Sequence, residues 1–345
     1  MPRQVRIQFA GAFYHVMARG DRREAIFRDD KDRTGFLEVL AEACGRTGWI
    51  CHAYVLMDNH FHLVIETPEP NLVAGMSWMQ NTYTRRHNVR HKLWGHLFGG
   101  RYKAVLVEAN GTDYLPVLID YVHLNPARAG LVSMETGLEL YKWSSLAGGY
   151  LLPRSKRPAW LEVERGLRMV GLKDDARGRR GYLGRLEQKV RLEGKAAGRE
   201  QPEGTSLQMT LRRGWCFGSQ GFKEAMLKVA QKVLSAASRS SNQRKTQEVR
   251  EHGEARAEQL VVAGMKRCKL TEEELEELAC GDERKVIIAL AVKRETTVAL
   301  TWIAQRLKMG TRSTVSRETT TLARKMETDK KLKKRYETIL VGNVD

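Results

Sequence analysis

The chain has 345 residues, with 59 Lys and Arg against 41 Asp and Glu and a formal net charge of +18. A hydrophobic fraction of 42% sustains a buried core and excludes a disordered chain, and the cationic excess favours a polyanionic partner, nucleic acid first. Five cysteines without a Cys-x-x-Cys pair argue against a disulfide framework or zinc ribbon and fit a reducing cytoplasm; no apolar run is long enough for a signal sequence or bilayer span, so no membrane partner is expected.

Residues 11–19 read as a strand, stopped by Gly20 and Asp21. Residues 29–45 read as a helix, because Phe36, Leu37, Leu40, Ala43 and Cys44 recur at helical spacing. Gly48 breaks the chain before a second strand at 49–56. After a turn at 57–59, His60, Phe61 and His62 open a third strand, and Pro68 and Pro70 end it. Asn71 is placed to cap a helix whose apolar face is Leu72, Met76, Met79 and Tyr83. Its far end carries Arg85, Arg86, His87, Arg90, His91 and Lys92 and runs into a segment with Trp94, His96, Phe98, Arg101, Tyr102 and Lys103. Cations interleaved with rings suit a nucleic-acid surface; the other reading is a solvated helix end with a glycine-rich turn.

A fourth strand follows at 104–108. Thr112 caps a helix with Leu115, Leu118, Ile119 and Val122 as its buried stripe, and Pro126 stops it. Tyr121 and Asn125, four apart, share a face beside that stripe. The order β-α-β-β-α-β-α predicts an α+β fold, a ferredoxin-like antiparallel sheet with helices on one face, over residues 1–150.

Residues 151–205 are crowded with Arg and Lys and show little alternation, so they read as a basic linker or arm, with helix expected at 160–170 and 182–193. Residues 206–345 read as a helical DNA-binding domain. Thr271 and Glu274 have capping-box spacing, and helices are expected at 221–237, 283–294 and 297–307. A turn containing Gly310 then leads into a further helix, so 297–325 reads as a helix-turn-helix. Arg312, Ser313, Thr314 and Arg317 at the start of its second helix are candidates for base or phosphate contacts on duplex DNA.

Chemistry that uses imidazole belongs to the first half, since eight of the nine histidines lie between His15 and His123. On a strand His60 and His62 point to one face, about 6.6 Å apart along the backbone, and can aim at one ion while Phe61 faces a core. Taken alone that pattern is weak evidence.

Three further segments stand in a fixed order after it: Gly95 to Lys103, Tyr121 to Gly130, and Tyr141 to Ser145. Together with His60 and His62 they resemble the single-tyrosine HUH transposases, and among those the REP-associated tyrosine transposases. The resemblance covers about residues 1–150. It implies a ferredoxin-like catalytic domain in which His60 and His62 hold a divalent metal, Tyr121 is the nucleophile, and Asn125 is a polar ligand one helical turn later. The implied cofactor is Mg²⁺ or Mn²⁺. The implied reaction is cleavage of single-stranded hairpin DNA through a 5′-phosphotyrosine, resealed by another 3′-hydroxyl. Arg85, Arg86, His96, Arg101, Lys103 and Arg128 become candidate DNA contacts.

Alternatives stand beside these roles. Tyr114, one heptad earlier, is the rival nucleophile. Asn125 before Pro126 also reads as a helix C-cap, and His123 as structural or as a DNA contact. A catalytically silent DNA-binding regulator and a replication initiator or relaxase are alternative functions. A monomer and a homodimer are both compatible with the sequence.

Overall fold

The architecture is that of a computed structural model, which describes residues 6–196, 211, 214–238 and 243–340. The first element, β1 (Ala12–Arg19), is central to its sheet. It is followed by α1 (Asp30–Thr47), β2 (Ile50–Met57), β3 (His60–Thr67), α2 (Leu72–His91), β4 (Lys103–Val107) and α3 (Tyr114–Arg128). The strand order is β2-β3-β1-β4, antiparallel throughout. That is the α+β sandwich expected from the element order.

Two details differ from the expectation. The sheet is mixed, because β5 (Cys216–Phe217) adds a fifth strand parallel to β4. Helices also cover both faces rather than one. The alternation of β3 shows why: Phe61 packs at 4.8 Å from Phe36 of α1, while His62 on the opposite face meets Tyr121 of α3. Helix α1 begins at the Asp29 cap, whose side chain accepts from the Asp32 N–H, and ends at Gly48 with φ +70, a left-handed position that suits glycine. Helix α3 runs through Pro126 to Arg128; the proline lies in the last turn, and its carbonyl still accepts from the Leu131 N–H at 2.9 Å.

Residues 151–196 are not a free basic arm. They include α4 (Glu164–Met169) and α5 (Ala176–Ala196), and Tyr182 and Leu186 of α5 are fully buried. Buried Asp120 of α3 accepts from the Tyr182 hydroxyl at 3.0 Å, from Arg185 and from Lys189. Both helices overlap the stretches expected at 160–170 and 182–193; what the many cations hid is that α5 packs into the core. Next come β5 and α6 (Gln220–Ser238).

The chain forms two compact units, one within residues 1–238 and the other within 239–345. The division therefore falls beyond the boundary expected at 205/206, because β5 joins the N-terminal sheet. The second unit contains α7 (Gln243–Cys268), α8 (Glu272–Glu277), α9 (Glu283–Glu295), α10 (Leu300–Arg306), α11 (Arg312–Thr328) and α12 (Lys330–Leu340). Thr271 and Glu274 form the expected capping box. Every residue of α9 from Lys285 to Val292 is buried, so α9 is the central helix of this unit. Among the described residues, no helix is long and apolar enough to cross a membrane.

Candidate active site

Strand β3 lies between β2 and β1, with His62 opposite Val55 and Met17, and His60 opposite Met57 and Arg19. The pleat turns both imidazoles towards α3. Their ring centroids are 5.1 Å apart and nearly perpendicular. Tyr121 meets the His62 ring edge-on at 6.0 Å. His60, His62, Tyr121 and Asn125 line one cleft of about 380 Å³. Arg19, Arg101 and Lys103 line the same cleft, so a polyanion entering it meets three cations beside the histidines.

The polar partners fix the donor atoms. His60 Nδ1 lies 2.7 Å from Asn59 Oδ1; because that oxygen accepts, Nδ1 carries the proton and the lone pair sits on Nε2. His62 Nδ1 lies 2.8 Å from Nε2 of His15, and the two rings are stacked. Asn125 donates Nδ2–H to the Tyr121 carbonyl at 2.8 Å, which leaves Oδ1 as its acceptor atom. Two imidazoles and one amide oxygen around a shared cleft are a donor set that fits a divalent ion with positions left for phosphate and water.

His15 is a residue that the sequence reading passed over. It is fully buried, and burial, with a smaller contribution from Lys103, pushes its pKa down to about 3, so it is neutral. Its ring meets Tyr121 edge-on at 5.9 Å, so it touches both the strand and the helix of the site. The signal lay in pairing register: once β1 pairs with β3, position 15 falls on the histidine face.

Tyr121 is 3% exposed, with its ring held from the other side by the Arg128 guanidinium 5.1 Å from the centroid. Arg128 is in turn paired with Glu193 of α5 and donates to the Tyr121 carbonyl at 3.3 Å. Tyr114 points elsewhere, its ring packed at 4.8 Å on Phe217 of β5. His123 is buried between the Tyr182 hydroxyl at 2.9 Å and Ser145 Oγ at 2.7 Å.

Of the candidate DNA contacts, only Arg101 and Lys103 line the cleft. Arg85, Arg86 and His96 are exposed, with Arg86 paired to Glu42 at 2.7 Å. Near His96, Trp94 is 91% exposed. In the second unit, Arg312 and Ser313 are exposed at the start of α11. Thr314 Oγ1 lies 3.1 Å from the Thr311 capping hydroxyl, and Arg317 pairs with Glu318.

With this geometry in place, the comparisons with known proteins can be stated. Residues 8–125 match the family described as "Transposase IS200 like". The matched stretch of this transposase-like domain runs from before β1 to Asn125, and so contains His15, His60, His62 and Tyr121. A solved structure described as the REP associates tyrosine transposase bound to a REP hairpin is similar at 14% identity and a TM-score of 0.38, covering 47% of this chain and 92% of that one. None of the curated proteins matches the chain.

Proposed function

We propose that the protein is a metal-dependent endonuclease and strand transferase for hairpin-forming single-stranded DNA, with residues 1–150 as its catalytic domain and Tyr121 as its nucleophile. The observation that carries this reading is that Tyr121 lines the same cleft as His60, His62 and Asn125, its ring edge-on to His62. The match of residues 8–125 to IS200-like transposases supports it.

The bond changes are these. The Tyr121 hydroxyl gives up its proton, its oxygen attacks the scissile phosphorus, and the P–O3′ bond breaks. The upstream strand leaves with a free 3′-hydroxyl while the 5′-phosphate stays on Tyr121. Attack by another 3′-hydroxyl reverses the sequence and needs no ATP, because one phosphoester replaces another. A divalent ion, Mg²⁺ or Mn²⁺, held by His60, His62 and Asn125 would favour the phenolate and stabilise charge on the phosphate oxygens. Arg19, Arg101 and Lys103 position the strand through its phosphates, and Arg128 holds the nucleophile's ring and carbonyl. Residues 297–325 of the C-terminal unit serve as a helix-turn-helix for a duplex stem or flank, with Arg312, Ser313, Thr314 and Arg317 at the DNA. The free cysteines suit a cytoplasmic setting.

The test is incubation with labelled hairpin oligonucleotides in Mn²⁺, Mg²⁺ or EDTA, followed by a denaturing gel. The expected result is a metal-dependent protein–DNA adduct that Tyr121→Phe abolishes and Tyr114→Phe retains. Tight hairpin binding without an adduct under any condition would replace this reading with that of a DNA-binding regulator.

A further inference from the structure

A second group of metal-ligating side chains lies on the other side of the sheet, where α1 meets the end of α2. Asp32 comes from the first turn of α1, and His87 and His91 come from the last turns of α2. Each offers one ligand atom, and these atoms lie within 4.8 Å of one another. His87 and His91 are four residues apart and so share a helix face. Asp32 and His87 are each only 2–3% exposed.

The decisive feature is His87. Both of its ring nitrogens are buried without a hydrogen bond of good geometry among the described residues, the nearby polar side chain being that of Asn88. A buried imidazole without a well-formed hydrogen bond is destabilising. Its Nε2 faces Asp32 Oδ2 at 3.8 Å, too far for a hydrogen bond. His91 Nε2 lies 2.9 Å from the Asp32 oxygens. Ligands at zinc bond lengths of 2.0–2.1 Å in a tetrahedron stand about 3.4 Å apart. The separations of 2.9 and 3.8 Å fall on either side of that value and the two imidazole nitrogens lie within 4.8 Å of each other, so side-chain shifts of about 1 Å bring the three atoms onto one ion.

The surroundings are compatible with that. The Asp32 carboxylate is already oriented by the Arg28 N–H at 2.9 Å. The cation now beside it is Arg90, which donates to both Asp32 and Asp29 and lies 3.2 Å from His91 Nε2, so a metal ion has to displace it from both ligands. Asp29 takes two hydrogen bonds from this guanidinium, so Arg90 keeps a partner if Asp32 turns to a metal.

We propose that Asp32, His87 and His91 form a binding site for a divalent transition ion of the Zn²⁺ class, separate from the histidines of the cleft. Two neutral imidazoles and a carboxylate are a zinc-type donor set, with the fourth position open to water. The ion ties the start of α1 to the end of α2, from which the chain runs into Arg101 and Lys103 of the cleft. The assignment does not depend on the chemistry proposed at Tyr121.

The test uses the tag-free full-length protein carrying His60→Ala and His62→Ala, which removes the cleft imidazoles. Zn²⁺ retained after dialysis is measured by mass spectrometry, and Co²⁺ is titrated by visible spectroscopy, with circular dichroism reporting the fold. The expected result is one tightly held equivalent, with the absorption of a low-coordinate Co²⁺ site. Adding His87→Ala abolishes it. Adding His91→Gln, a milder change at a half-buried position, weakens it by more than the 10–100-fold that loss of an outer partner costs. No retained equivalent in the His60 and His62 background would overturn the proposal. So would an equivalent that survives in whichever of the His87 and His91 variants keeps its fold.

Discussion

Nε2 of His15 sits 2.8 Å from Nδ1 of His62, in a stacked pair with no solvent exposure at His15 and almost none at His62. The contact fixes the rotation of the His62 ring and settles which nitrogen looks into the cleft. Outer partners of this kind matter to a ligand by about 10–100-fold in metal affinity. His15→Phe keeps the volume and removes the hydrogen bond. Its expected effect is a rise in the Mn²⁺ dissociation constant of about that size, read by titrating the paramagnetic ion, with the fold retained by circular dichroism. Unchanged Mn²⁺ affinity would show that His15 is core packing alone.

Arg128 illustrates a different kind of support. It stacks on the Tyr121 ring, donates to the Tyr121 carbonyl and is anchored by Glu193. Arg128→Ala frees the ring while leaving the cleft cations in place. Because small misplacements of a reacting group cost up to about 100-fold in rate, single-turnover adduct formation is expected to slow by about 10–100-fold, with hairpin affinity little changed. Glu193→Gln is expected to give a milder form of the same split. A loss of affinity without a loss of rate would identify Arg128 as a DNA contact instead.

The sequence carried the sheet well, and for physical reasons. The apolar, β-rich runs Tyr54 to Leu56 and Leu63 to Ile65 and the helical spacing at Phe36 to Cys44 are local signals, and local signals survive in a one-dimensional record. Strand and helix periods alone place His60 with His62 on one face and Tyr121 with Asn125 on another; joining the four into one site rested on the family resemblance, because by its pattern alone Tyr121 reads as a half-buried helix tyrosine. His15 was not legible, because its role depends on β1 pairing with β3 across more than forty residues of chain. The burial of Tyr182 and Leu186 was hidden for a related reason: α5 packs through a few apolar positions among cations, and its polar anchor, Asp120, lies on another helix. The two-residue strand Cys216–Phe217 has no periodicity to read at all.

Arg101 lines the cleft and is exposed, so its role is testable through salt. A side chain that neutralises one phosphate contributes close to one unit to the slope of log affinity against log salt. Arg101→Ala is expected to weaken hairpin binding uniformly across loop sequences and to lower that slope by about 1. Filter binding across a range of KCl concentrations measures it. A sequence-dependent loss with an unchanged slope would mean base recognition at this position.

Asp174 fastens the segment before α5. Arg157 grips it through two hydrogen bonds of 2.6 Å, Arg179 adds a third, and Arg157 also donates to the Gly149 and Leu152 carbonyls. The Arg157 hydrogen bonds hold the Asp174 carboxyl below its usual range despite the opposing effect of burial. A carboxylate with a depressed folded pKa contributes stability above its unfolded pKa and loses it as pH falls through the folded value. Breaking a largely buried pair from one side costs about 3 kcal/mol. Asp174→Asn is therefore expected to lower the denaturation midpoint at pH 7, with the gap to wild type narrowing as pH falls below about 4. A gap that is constant with pH would assign the effect to packing rather than charge.

Lys285 gives the C-terminal unit an internal cation. Its side chain is buried within α9, and Nζ donates to the Leu278 carbonyl at 2.9 Å and the Lys308 carbonyl at 3.3 Å. It thus joins the end of α8 to the turn between α10 and α11, where Gly310 has φ +74. Lys285→Met keeps the stem and removes the ammonium donor from both carbonyls, leaving the Lys308 carbonyl with Cys280 Sγ at 3.8 Å. Losing the hydrogen bonds of a charged donor costs on the order of 2 kcal/mol. The expected result is faster hydrogen exchange in residues 272–309 of the full chain, while β1 and β3 keep their protection. Exchange that stays at the wild-type rate there would mean that the two carbonyls find other donors, and that the turn before α11 is held by the Thr311 cap and its apolar contacts alone.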